Sequence, residues 1–264
     1  MSTIHPTAII ENGAVIGENV TIGPFVTISA EATIGDDTVI DAHAVIAGHT
    51  TLGVGNHIFS HAVVGSIPQD LKYAGEKVQL IIGNYNKIRE FTLLNPGTAG
   101  GGGVTQIGDH NLLMGYVHLG HDVKLGHHCI LANGATLAGH VELGNHVVIG
   151  GLTPVHQFVK IGDFAMIAGA SALSQDIPPY CLAEGNRATL RGLNLTGLRR
   201  HLQRDEINEL KTVYKALFES GSPLQETAQA LLEKETMTPS VKNLLTFITQ
   251  SKRGIPFIRK NING

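Results

Sequence analysis

Every sixth residue from Ile10 to Val64 is aliphatic, without a miss. The period returns at Ile82, Ile88 and Leu94, and again from Ile107 through to Leu173. An α-helix advances about 100° per residue, so six residues rotate a side chain by about 240° and no face stays apolar. Helical repeat arrays use far longer repeats. A short strand followed by a turn does fit. Six residues make one side of a triangular coil, three sides make an 18-residue rung, and rungs stack about 4.8 Å apart through backbone ladders. Each periodic aliphatic then points inward, and the small residues beside it, as in "TIGPFV" and "VELGNH", let the chain turn the corner. The composition agrees, with 32 glycines, no tryptophan and 5% aromatic residues. The period predicts a mainly β chain, a parallel β-helix of hexapeptide repeats.

Two stretches break the period and must loop out: residues 66–80, "SIPQDLKYAGEKVQL", and 97–106, "GTAGGGGVTQ". The second is no phosphate-binding loop, because no Gly-Lys-Ser/Thr follows its glycines. The coil ends near "SQDIPPYCLAEGN", so a coil over 1–186 is expected to precede a helical domain over 187–264. In the tail, Ile207, Leu210, Val213, Tyr214 and Leu217 have helical spacing. "SPLQETAQALLEKE" and "TPSVKNLLTFITQ" each open with an N-cap hydroxyl followed by proline. Charge divides at the same point. Residues 1–186 hold 6 Lys/Arg against 15 Asp/Glu, and residues 187–264 hold 13 against 7, so −9 and +6 make the overall −3. Arg187, Arg191, Arg199, Arg200 and Arg204 crowd the start of the tail. They suit a solvated face, an acidic partner or a phosphorylated substrate. Nucleic acid is disfavoured by the net charge and the lack of an aromatic platform. Cys129 and Cys181 form no metal-ligand motif and read as packed thiols of a reducing compartment. No apolar run nears the roughly 18 residues of a membrane span, and "MSTIHPTAII" lacks a basic, apolar leader. A cytoplasmic protein without stable membrane insertion is expected.

"VHLGHDVKLGHH", residues 117–128, carries four histidines. His121 and His127 both lie two residues past an inward aliphatic, on successive corners about 120° apart. They cannot ligate one metal ion within a single chain. Adding 18 moves one rung along a corner. His121 then lies under Gly139 and Gln157, and Asp122 under His140 and Phe158. An imidazole can act as a base near neutral pH, a carboxylate can orient it, and a backbone amide can hold an oxyanion. Polar turn residues are the plainer reading. Gly115, Asn133, Gly151 and Gly169 form a second corner stack. They suggest a shallow channel, or simply the preference of corners for Gly and Asn.

The stretches "QDLKYAGE" (69–76), "HLGHD" (118–122), "CILANGATLAGHV" (129–141), "VHQF" (155–158), "QDIPPY" (175–180) and "GLNLTGLRR" (192–200) resemble UDP-N-acetylglucosamine 3-O-acyltransferases, the first enzymes of lipid A biosynthesis. The resemblance covers nearly the whole chain. It implies a left-handed coil, against the usual right-handed crossover, and a homotrimer with active sites between subunits. It further implies transfer of an (R)-3-hydroxyacyl group from acyl carrier protein to the glucosamine 3-hydroxyl of UDP-N-acetylglucosamine, without metal or cofactor. By resemblance His121 is the general base, Asp122 orients it and the Gly139 amide holds the oxyanion. His118, His140, His156, Gln157, Asp70 and Lys72 match substrate-positioning residues, and Asn194 and Arg200 match contacts to the nucleotide sugar. Gly169 matches an acyl-chain ruler, for which glycine implies a donor of about 14 carbons. Arg187 would close the channel if the 18-residue register survived Pro178-Pro179.

The chain departs from the family pattern at Asn95-Pro96, where His-Arg is usual, at Thr196, where Glu is common, and at Arg187, where His is common. The first two leave open a 3-amino analogue of the acceptor. Three rival readings compete: a γ-carbonic anhydrase-like metalloenzyme, a non-catalytic solenoid, and the later N-acyltransferase of the same pathway.

Overall fold

The computed structural model describes residues 1–233 and 236–258. Short strands, mostly of two residues, follow one another at each hexad and stack into three sheets of eleven, eight and eight strands, parallel except for the last strand of the first. The first face begins at Thr3–Ile4, the second at Ile9–Ile10 and the third at Val15–Ile16. The chain is thus a left-handed parallel β-helix with a helical tail. Away from the two interruptions and the coil's far end, each strand pairs with the one 18 residues on, as in His118↔Thr136 and Leu119↔Leu137. Across the interruptions the step is 30 or 25, as in Val63↔Leu93 and Leu93↔His118. The periodic aliphatics from Ile22 to Leu173 are buried. Ile10 and Ile16 are only partly so, because the first rung has no coil beneath it.

The corners explain most of the histidines. Three residues past the inward aliphatic, the backbone turns through the left-handed region, with φ near 60° at His43, His61, Tyr116, Asp122 and His140. Asn, Asp and His tolerate this conformation best among non-glycine residues. Successive rungs then stack these side chains. Phe25, His43, His61, Phe91 and Tyr116 form one ring ladder, with centroids 4.9–5.2 Å apart. Tyr85, His110, His128, His146 and Phe164 form another. Inside the corner from third face to first, Asn56, Asn86 and Asn111 form a buried amide ladder. Asn56 Oδ1 accepts from Asn86 N at 2.9 Å and Asn86 Nδ2 at 3.1 Å. Asn86 Oδ1 accepts in turn from Asn111 N at 2.9 Å and Nδ2 at 3.0 Å. Asn86→Ala leaves the Asn111 N–H without its acceptor, while Asn56 Oδ1 keeps the backbone N–H of residue 86. At about 1–3 kcal/mol per orphaned buried group, it should lower stability by about 1–3 kcal/mol, read as a shifted urea midpoint at unchanged m-value.

Both interruptions leave the coil at the same corner, from second face to third, on consecutive rungs. The first runs from Val64 to a strand at Gln79–Ile82, the second from Leu94 to a strand at Val104–Ile107. Both strands start inside the stretches expected to loop, so the excursions are shorter than expected. At the far end the register changes: Met166 pairs with Leu182 and Ile167 with Ala183, a step of 16. A hairpin of Cys181–Glu184 and Thr189–Leu193 closes the coil. The expected boundary at 186/187 therefore falls in the hairpin turn. Helices begin only at α1 (Leu195–Leu198), followed by α2 (Arg204–Phe218), α3 (Leu224–Leu232) and α4 (Pro239–Gln250).

Ile207, Leu210, Val213 and Leu217 of α2 are buried, and Tyr214 packs against Phe218. Pro239 opens α4 after Thr238, as expected. In α3, however, Pro223 itself is the cap residue, and neither Ser222 nor Thr238 makes a side-chain capping bond. The helices dock on the coil's end, where Asn243 Nδ2 donates to Asp163 Oδ2 (2.9 Å) and the Tyr180 hydroxyl (3.1 Å). No helix among the described residues is long and apolar enough to cross a membrane.

Candidate active site

The corner that sheds both loops also carries His121, one rung above the second loop. His121 Nδ1 lies 2.8 Å from Asp122 Oδ2. The Asp122 side chain is 2% exposed and the imidazole 18%, so one edge of the ring reaches solvent while its partner is sealed. The loop 97–103 seals it. Thr98 N donates to both carboxylate oxygens (3.0 and 3.2 Å), and Thr98 Oγ1 donates to Oδ2 at 2.6 Å. Asp122 N donates to Thr105 Oγ1 at 2.8 Å. Above, Gly139 lies against the imidazole, where a Cβ would come 2.6 Å from Nε2. The Gly139 amide has no acceptor among the described residues. At the next corner, the equivalent amides of His127 and Asn145 are capped by Asn145 and Asp163 side chains at 2.9 and 2.7 Å. No such cap is present at Gly139 among the described residues, and Gln157 above it is exposed. An oriented imidazole beside an open N–H can take a proton and stabilise an oxyanion.

His140 stands edge-on to His121 (centroids 4.9 Å) and stacks on Phe158 at 4.3 Å. Asp70 and Lys72, from the first loop, border the same cleft of about 710 Å³ as Asp122 and His140. Asp70 Oδ1 accepts from Lys72 N at 3.0 Å. His118 is half-buried, its Nδ1 3.0 Å from the Leu93 carbonyl. His156 and Gln157 are exposed two rungs up, and Arg253 Nη2 from the tail lies 3.2 Å from His156 Nδ1. Asn95, at the first departure from the family pattern, is turned to the root of the first loop. Its Nδ2 donates to the Ser66 and Ile67 carbonyls at 3.0 and 3.1 Å.

The remaining expected site residues lie on other corners. Gly169 shares an apolar groove of about 570 Å³ with Tyr116, Asn133, Gly134, Gly151 and Leu152, between the first and second faces. Arg187 does not continue that stack. With the 16-residue step, Gly185 falls above Gly169, and Arg187 sits exposed at the hairpin tip. Asn194 is 7% exposed and caps α1, its Oδ1 accepting from Gly197 N (3.1 Å) and its Nδ2 donating to the Phe164 carbonyl (3.0 Å). Arg200 is exposed beside His201, which packs on His146 and Phe164 at the third corner. Thr98, Thr105 and Arg253 were not anticipated. Thr98 lies 24 residues before Asp122, off the 18-residue register, so the period gives no signal for it.

Among the described residues one group could surround a metal ion, His121, Asp122 and His140. Two of its three members are already engaged: both Asp122 oxygens accept from Thr98, and Oδ2 also meets His121 Nδ1. Burial is the main cause that holds His118, His140 and His146 below the ordinary histidine value of 6.5. The Leu93 carbonyl opposes it at His118 and Asp122 opposes it at His140, while His128 and His201 reinforce it at His146. In each case the unfolded chain binds the proton more tightly than the folded one. Stability is therefore full above about pH 6.5 and lost as pH falls below it. Urea midpoints should drop between about pH 7 and pH 5, and His146→Phe should flatten that slope.

A left-handed hexapeptide coil that sets a histidine–carboxylate pair beside an open amide defines the class, the hexapeptide-repeat acyltransferases. Residues 1–30 and 105–139 match the bacterial transferase hexapeptide family, and residues 176–256 match domain 2 of UDP-N-acetylglucosamine O-acyltransferase. The acyl-[acyl-carrier-protein]–UDP-N-acetylglucosamine O-acyltransferase of Sulfurovum sp. (strain NBC37-1) is 71% identical over 99% of this chain and 100% of its own. The structure of UDP-N-acetylglucosamine acyltransferase from Campylobacter jejuni superposes with a TM-score of 0.94 at 51% identity, covering 97% of this chain and 100% of that one. The Acinetobacter baumannii structure gives 0.93 at 42% identity, covering 96% and 99%. The chain belongs to the acyl-[acyl-carrier-protein]–UDP-N-acetylglucosamine O-acyltransferase family.

Proposed function

We propose that the protein transfers an (R)-3-hydroxyacyl group from acyl carrier protein to the 3-hydroxyl of UDP-N-acetylglucosamine, the opening step of lipid A biosynthesis, in the cytoplasm. The observation that carries the chemistry is the 2.8 Å bond from His121 to the sealed Asp122 carboxylate. With Nδ1 oriented by Asp122, Nε2 takes the proton of the sugar hydroxyl as its oxygen attacks the thioester carbonyl. The resulting oxyanion sits at the Gly139 amide. Its collapse breaks the C–S bond, and the departing thiolate takes the proton back from His121. Asp70 and Lys72 position the sugar from the first loop, and His118, His140, His156 and Gln157 line its approach.

The base, the apolar groove at Gly169 and the Arg200 segment occupy three different corners of one coil. Neighbouring copies of a homotrimer would bring them together, so the complete site lies between subunits. Asn194, whose side chain is committed to the α1 cap, supports the Arg200 segment. The exposed Arg199, Arg200 and Arg204 offer the acidic carrier protein a docking surface. The test is an acyl-transfer assay with 3-hydroxyacyl carrier proteins of several lengths, against UDP-N-acetylglucosamine and its 3-amino analogue. Ester product on the 3-hydroxyl supports this reading. Turnover of the amino sugar alone would replace it, and no transfer to either acceptor would sink it.

A further inference from the structure

We propose that Thr98 is a positioning residue for His121, acting through Asp122. The inference rests on the reading of His121 as general base. Asp122 Oδ2 has two side-chain partners within hydrogen-bond distance, the imidazole at 2.8 Å and the Thr98 hydroxyl at 2.6 Å. His140 Nδ1, the next nearest, stands off at 3.9 Å. An O–H donor at that length to a carboxylate belongs to the strong, charge-assisted class. The aspartate χ2 torsion is otherwise broad, so a donor fixed on the far side of Oδ2 selects the rotation that presents this oxygen to the imidazole. Thr98 is 5% exposed and the Asp122 side chain 2%, so bulk water does not take the place of a missing hydroxyl.

The rest of the loop holds Thr98 there. Thr98 itself is extended (φ −126°, ψ 156°) and precedes a single 3₁₀ turn, Ala99–Gly101. Its carbonyl accepts from Gly101 N at 3.0 Å and Gly103 N at 2.8 Å, which folds the chain back on the threonine. Gly97 N donates to the Gln79 carbonyl at 3.1 Å, which pins the loop's root to the third face. Gly101 lies flat against the carboxylate, and a Cβ there would overlap it. At Gly100 a Cβ would meet nothing within 4 Å. The glycine run thus gives the carboxylate clearance at one defined position, and the insertion works as a clamp on the group that orients the base.

The experiment is steady-state kinetics of Thr98→Val and Thr98→Ser in the full-length trimer, each also in a His121→Ala background. Thr98→Val should lower kcat by at least about tenfold with KM for both substrates within about twofold, the signature of an interaction that matters in the transition state. Thr98→Ser should restore most of the rate. With His121 already removed, Thr98→Val should cost nothing further, since its effect passes through the imidazole. Gly101→Ala should resemble Thr98→Val, and Gly100→Ala should resemble wild type. A wild-type kcat in Thr98→Val would overturn the proposal. So would a raised KM at unchanged kcat, or the same loss in the His121→Ala background. A fully active His121→Ala would sink the base reading itself. An inactive His121→Ala beside a normal Thr98→Val would sink only this inference.

Discussion

His121→Ala is expected to lower kcat by about 10² to 10⁴, the usual worth of a general base, while the protein should fold and assemble as before. The side chain sits at a corner outside the aliphatic core. It contacts Asp122, Gly139 and His140 and fills no cavity between faces. Its loss should therefore remove the proposed proton acceptor and little packing. Asp122→Asn is expected to be nearly as severe and to cost stability as well, because the buried carboxylate also accepts from Thr98 N and Oγ1. Circular dichroism and light scattering report the fold and assembly, and single-turnover kinetics report the chemical step. Dialysis of the wild type against a chelator should leave the rate intact. A loss reversed by zinc would hand His121, Asp122 and His140 to a metal, and an active His121→Ala would remove the base.

Gly169→Met is expected to shorten the preferred acyl chain by roughly four carbons, since one rung of about 4.8 Å matches about four extended methylenes. The position accepts a side chain: its φ lies outside the left-handed region, and an added Cβ would meet Gly151 O at 3.4 Å and Gly151 N at 3.6 Å, ordinary contacts. The methionine would then occupy the groove in place of the distal carbons. At about 0.8 kcal/mol per buried methylene, losing four sites costs about 3 kcal/mol, on the order of a hundredfold against the long donor relative to the short one. Gly134 makes a useful contrast. Its φ is +71° and a Cβ there would come 3.0 Å from Leu152 Cδ2, so Gly134→Met strains the backbone. Rates with donors of about 10 and 14 carbons decide the matter. An equal loss on both, with the fold intact, would move the chain-length determinant away from Gly169.

The six-residue period was sufficient for the coil because strand pitch and corner geometry leave an inward aliphatic one choice of place. Residues 18 apart must then stack, which by itself puts His121 under Gly139 and Asp122 under His140. The resemblance supplied the roles, while the spacing supplied the adjacency. What the period could not carry was anything that leaves it. Both loops emerge at the corner of His121, yet insertions have no register of their own, so Thr98 and its bond to Asp122 were invisible along the chain. The 16-residue step at Met166↔Leu182, which displaces Arg187 and moves the domain boundary into a hairpin, is likewise a pairing decision. That Asn194, matched by the resemblance to a sugar contact, also caps α1 was not legible, because its partners are the α1 turn and the Phe164 carbonyl, 30 residues away. Local repetition determined which residues face inward and which share a corner. Contacts between distant segments, whose strength depends on where the loops and the tail come to rest, decided how the base is held.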